Sequence, residues 1–189
     1  IAEMMESDLA LAKESLSWIS QTMVEYIKQN NKILSIIIRT RFQKDGIEFF
    51  TPDSFSQQLA YMKRDLDYSI DPHVHKIVKR DIDITQEVLF IKSGKVRVDF
   101  YDNEKCYIES KILVKGDVIL LADGGHGFKM LESSEIIEVK QGPYAGDMDK
   151  ERFKPLKDED VLILWYQLMN LYFQETKKNM SMNVLTLVG

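Results

Sequence analysis

The chain is poor in cysteine and histidine, has no excess of positive charge and contains no long apolar run. Its one cysteine, Cys106, excludes an intramolecular disulfide framework and is typical of a protein of the reducing cytoplasm. The net charge of -5 argues against a nucleic-acid partner and against an anionic membrane surface. No apolar stretch approaches the roughly 20 residues of a membrane-spanning helix. We therefore expect a cytoplasmic protein that binds neither nucleic acid nor membrane.

Four segments of the chain have different hydrophobic patterns. Apolar side chains at three- and four-residue steps predict an amphipathic helix over about residues 8–30. A β-branched run then predicts a strand over 32–39. Between 47 and 153, short β-branched and aromatic runs alternate with turn residues, which is typical of an antiparallel sandwich or barrel. A second amphipathic pattern predicts a helix over 158–178.

These patterns together predict an all-β fold with an N-terminal helix and a short C-terminal helical extension. We expect residues 1–46 to form the helix and strand extension, and residues 47–153 to form the barrel. Residues 154–189 are expected to be a C-terminal extension, and whether it is native, truncated or foreign is left open.

All three histidines of the chain fall into a pattern that suits a metal ion. His73 and His75 alternate along a predicted strand, so both imidazoles point to one face with Cα atoms about 7 Å apart. A carboxylate from the next strand, Glu87, and a third imidazole, His126, complete four ligands. This nitrogen and oxygen set suits one divalent ion of Fe, Mn, Ni, Co or Zn, and it does not choose among them.

The same residues resemble the motifs of the cupin superfamily. The first motif is similar to His73-Val74-His75, followed by Glu87, six residues and Gly94, and the second is similar to the segment from Gly116 to His126. The resemblance implies a double-stranded β-helix, a jelly-roll barrel, over residues 47–153. It also implies that His73, His75, Glu87 and His126 are the metal ligands. The long gap between His75 and Glu87 predicts an extended hairpin over the barrel mouth.

Longer phrases are similar to a narrower group of small bacterial cupins. The phrases are Glu48–Pro52, Thr85–Ile91, Val96–Asp102 and Glu138–Tyr144. Proteins of this group look like companions of surface-polysaccharide and sialic-acid-type sugar pathways. The resemblance implies a small-molecule sugar or sugar-nucleotide ligand and a homodimer.

Further polar side chains are candidates for contact with that ligand. Two of them, Gln58 and Tyr61, precede the histidine pair and are expected to line the barrel mouth. Three others follow the last strong strand and are expected to bind a sugar hydroxyl or phosphate: Lys140, Gln141 and Tyr144. Arg97 and Asp99 alternate with apolar residues, which predicts that they lie on a solvated face.

Three functions remain open from the sequence. In the first, a metal-dependent sugar isomerase or epimerase polarises a carbonyl, with a tyrosine, a lysine or a metal-bound water as base. A metal-free form of that enzyme would use His75 or His126 as the base. In the second, the barrel is a non-catalytic module that binds a sugar or metabolite. In the third, it is an Fe(II)-dependent dioxygenase. The sequence does not identify which residue is catalytic.

Overall fold

The computed structural model of the chain describes residues 23–143, 146 and 148–161. Regular structure in this part consists of strands and of one 3-10 turn, Asp158–Asp160. The strands are β1 (Val24–Gln29), β2 (Lys32–Ile38), β3 (Gly46–Phe49), β4 (Ala60–Lys63), β5 (Glu87–Ser93), β6 (Lys95–Tyr101), β7 (Tyr107–Val114), β8 (Val118–Leu121), β9 (Gly125–Met130) and β10 (Glu135–Lys140). In these residues no helix is long and apolar enough to cross a bilayer.

The strands form antiparallel sheets, which confirms the predicted all-β class. One sheet has five strands in the order β1-β2-β8-β5-β10, and a second has three in the order β7-β6-β9. Strands β3 and β4 form a separate hairpin. Because β2 pairs with β8 and β8 pairs with β5, segments far apart in sequence meet at the centre of the larger sheet.

The predicted N-terminal helix is wrong over residues 24–29, where the chain forms strand β1. Asn30 and Asn31 both have positive φ, 49° and 65°, which is the geometry of a tight hairpin turn. That turn pairs β1 with β2, and Ile27 is buried between exposed neighbours as a strand requires. The earlier part of the predicted helix lies outside the described residues. So does most of the predicted C-terminal helix, whose first residues form the 3-10 turn.

The apolar core lies between the two sheets. Its members are Ile27, Ile37, Leu89, Ile91, Val96, Val98, Phe100, Leu113, Ile119 and Leu121. A second apolar cluster, which includes Ile36, Phe50 and Leu120, lies on the other face of the five-stranded sheet. Residues that alternate along one strand therefore divide between the two faces, so the core fixes which side chains of β5, β6 and β9 point between the sheets.

The prediction that Arg97 and Asp99 are solvated is wrong. They are 6% and 5% exposed, although they lie on the face of β6 opposite the core residues Val96 and Val98. The segment after β10 approaches this face, and its Asp158 accepts a hydrogen bond from Arg97 Nη1 at 2.9 Å.

Candidate functional site

A cavity of about 910 Å³ lies where the two sheets and the segment of residues 149–158 meet. Its polar lining includes side chains from β5, β6, β9 and β10, among them Glu87, Arg97, His126 and Lys140. Mixed polar and aromatic walls of this size are typical of a small-molecule site.

Glu87 and His126 meet inside this cavity. His126 pairs with the core residue Phe100 across β9 and β6, so its side chain points between the sheets. Glu87 pairs with the core residue Leu121 and points the same way from the opposite sheet. The result is a contact of 3.3 Å between His126 Nε2 and Glu87 Oε2.

Lys140 completes the charge balance around Glu87. It stands opposite Glu87 in the β5–β10 pairing, and its Nζ lies 3.2 Å from Glu87 Oε1 and 3.0 Å from Asp149 Oδ2. The hydrogen bond from His126, with a further contribution from Lys140, lowers the pKa of Glu87 to about 2 against the opposing effect of burial. Glu87 is therefore a carboxylate at neutral pH, and the contact with Asp149 raises the pKa of Lys140 above its usual value.

The two other predicted ligands lie apart from this pair. No strand forms between Lys63 and Glu87, so the prediction that His73 and His75 share a strand is wrong. Both histidines are exposed, and their rings contact each other edge to face at a centroid distance of 5.3 Å. Within the described part of the chain, no three His, Cys, Asp or Glu side chains form a group that could hold a metal.

The structure does not bring these four residues together around one point. Glu87 directs one oxygen to His126 and the other to the ammonium group of Lys140, so both oxygens already have partners. The four-ligand metal site of His73, His75, Glu87 and His126 thus remains a prediction.

The remaining predicted contacts have different positions. Lys140 lines the cavity, but its ammonium group is engaged by two carboxylates. Gln141 Oε1 accepts a hydrogen bond from the backbone N–H of Gln86 at 2.9 Å. Gln58 bonds within its own loop, to Thr51 and to backbone carbonyls. Tyr61 packs with the second apolar cluster, and Tyr144 lies outside the described residues.

The sequence analysis missed a second group of charged residues at the cavity. Arg97 Nε and Nη2 donate to the two oxygens of Asp99 at 2.8 and 3.0 Å, which fixes the plane of the guanidinium. Its Nη1 donates to Asp158, which also contacts Lys129. The hydrogen bond from Lys129, followed by that from Arg97, lowers the pKa of Asp158. The alternating charges on β6 were a usable signal, whereas nothing local predicts a contact with residue 158.

Comparison of the chain with protein-family models, with curated proteins and with solved structures found no match.

Proposed function

We propose that the protein is a cupin-like barrel that binds a sugar or sugar nucleotide and transfers a proton on it, as an isomerase or epimerase. The observation that carries this proposal is the contact of 3.3 Å between His126 and the ionised Glu87 inside a polar cavity. The resemblance to cupins of surface-polysaccharide and nonulosonic-acid pathways supports a sugar as the ligand.

The contact defines how His126 would act. A carboxylate only accepts hydrogen bonds, so the imidazole must donate through Nε2–H. In the neutral tautomer the lone pair is then on Nδ1, which is the atom able to take a proton from a substrate carbon or hydroxyl. Glu87 holds that tautomer and stabilises the imidazolium that forms, as the acid partner of a catalytic histidine does. His126 is therefore the base in this proposal, and Glu87 positions it.

Several finer features belong to the same proposal. The two antiparallel sheets would be the halves of a double-stranded β-helix. The cytoplasm is the compartment in which its sugar nucleotides are made. A second copy of the chain would cover exposed apolar side chains on β5 and β10, namely Phe90, Ile137 and Val139. These three follow the outer face of the sheet beyond the part that contacts the second apolar cluster.

A metal-bound form is a second candidate. It is favoured because the four predicted ligands already form two pairs whose members contact each other. Glu87 contacts His126, and His73 contacts His75. Assembly of the four would require the exposed segment 64–84 to carry its histidines to the cavity and Lys140 to leave Glu87. The ion would supply polarisation of a substrate carbonyl.

Elemental analysis of the purified protein, with His73→Ala and His126→Ala as variants, separates the two forms. One metal per chain that is lost in both variants would establish the four-ligand site. Absence of metal after incubation with Fe(II), Mn(II), Ni(II), Co(II) and Zn(II) would leave the metal-free acid–base pair.

Turnover of a panel of sugar nucleotides then tests the reaction. We expect activity in the parent protein and a loss of about 100-fold or more in His126→Asn. Binding without turnover in the parent would contradict the enzyme and support the non-catalytic module. Turnover that requires both Fe(II) and oxygen would instead identify a dioxygenase.

A further inference from the structure

An open polar depression lies on the outer face of the three-stranded sheet. In the β6–β9 pairing, Asp99 stands opposite Gly127, so β9 places no side chain in front of Asp99. A Cβ atom built on Gly127 would meet Tyr101 Cε2 at 3.9 Å, an ordinary contact distance. The cavity that contains His126 extends around β9 into this depression. The space beside Gly127 is therefore continuous with the candidate active site.

Two cations form one wall of the depression. Arg97 and Lys129 are directly paired across β6 and β9, which puts both side chains on the same face. Asp99 holds two nitrogens of the guanidinium, and the third, Nη1, points to Asp158. Lys129 Nζ contacts the other oxygen of the same aspartate. The two cations thus bind a single carboxylate, that of Asp158, through both of its oxygens.

The exposure of Asp158 indicates that a ligand anion could replace it as the partner of Arg97 and Lys129. The side chain of Asp158 is 63% exposed, whereas that of Arg97 is 7% exposed. An ion pair with so exposed a member contributes little to stability, so its replacement is inexpensive. A buried, oriented arginine beside a lysine recognises any group with two acceptor oxygens and a negative charge.

We propose that Arg97 and Lys129 form a subsite for the carboxylate or phosphate of an anionic sugar, and that Asp158 fills this subsite in the free protein. The ligand anion displaces Asp158, and the sugar ring lies over Gly127 beside Tyr101. The sugar part of this inference rests on the proposed function, whereas the anion part does not. An acidic sugar or a sugar phosphate is therefore preferred over a neutral sugar.

The test uses calorimetric titration of the full chain with four probes: inorganic phosphate, glucose 1-phosphate, glucuronate and glucose. Asp158→Asn removes the competing carboxylate and is expected to tighten binding of the anionic probes about three- to tenfold. Asp160→Asn is the matched control, because it removes the same charge from the same turn and is expected to leave affinity unchanged.

A second pair of variants tests the cations without disturbing the buried arginine. Lys129 is half-exposed, so Lys129→Met is expected to fold and to weaken anion binding at least fivefold, whereas Lys129→Arg keeps it. The tighter of glucuronate and glucose 1-phosphate identifies the natural anion. Equal affinities in the parent and Asp158→Asn, or unchanged affinity in Lys129→Met, would overturn the subsite.

The probes also separate this inference from the proposed function. If glucose binds as tightly as its phosphate, the anion subsite is overturned and the sugar site stands. If inorganic phosphate binds as tightly as glucose 1-phosphate and responds to Asp158→Asn, the anion subsite stands and the sugar site is overturned. Failure of every probe to bind overturns both.

Discussion

Replacement of Asp117 by alanine is expected to lower the free energy of unfolding by about 3–5 kcal/mol. This carboxylate is 1% exposed and accepts three hydrogen bonds: from Arg39 Nη1 at 2.8 Å, from the N–H of Thr40 at 2.8 Å and from the N–H of Val114 at 3.1 Å. The variant loses about 1 kcal/mol for each ordinary bond and more for the charged one, and it removes this acceptor from the N–H groups of Thr40 and Val114 and one of two carboxylate partners from Arg39.

Urea unfolding followed by far-ultraviolet circular dichroism measures this loss. Glu109→Ala is the control, because Glu109 also pairs with a buried lysine but its own side chain is 28% exposed, so we expect less than about 1 kcal/mol. A loss for Asp117→Ala that is no larger than that of the control would refute the reasoning, since it would mean that solvent or Glu25 compensates Arg39 fully.

Three further outcomes follow from the contacts. Gly125→Ala should lower the thermal midpoint, because its Cβ would lie 3.2 Å from two aromatic side chains, whereas Gly127→Ala should leave the midpoint unchanged. Burial opposes ionisation of Asp123, but hydrogen bonds led by that of Lys32 outweigh it and lower the pKa. Its stabilisation is thus present above its unfolded pKa and is lost as pH falls through the lower folded value, so Asp123→Asn should flatten the acid-side dependence of the urea midpoint below about pH 4. Sedimentation velocity should show a dimer of the parent and a monomer of Ile137→Lys, and a parent monomer would contradict the dimer.

Some of the fold could be predicted from the sequence because period-2 alternation was local and strong. Val96, Val98 and Phe100 form the core as their alternation indicates. The same reasoning failed for residues 24–29, because Val24 and Ile27 satisfy a helical spacing as well as a strand pattern. The decisive information was the Asn30-Asn31 turn, whose positive φ angles turn the chain back on itself.

The relative positions of only two of the four predicted site residues could be anticipated from the sequence. Glu87 and His126, which the order along the motifs assigns to one site, do lie in contact at 3.3 Å, whereas their role as metal ligands stays a prediction. The same order did not bring His73 to them, since its segment contacts neither sheet through a paired strand. Nor could it show Lys140 and Asp158 as partners of charged residues, because those contacts depend on register and on chain reversal after β10.

The pairing of β2 with β8 has a consequence for how the chain reaches this fold. Ser35 donates to the carbonyl of Leu120, a contact that spans 85 residues, while the β1–β2 and β6–β7 hairpins close locally. Loop closure over such a distance is slow, so the hairpins should form early and the central sheet late. During synthesis, Ile36 and Ile37 pair with β1 but lack their second partner strand until residue 121 has left the ribosome, so one edge of β2 stays open to aggregation until then.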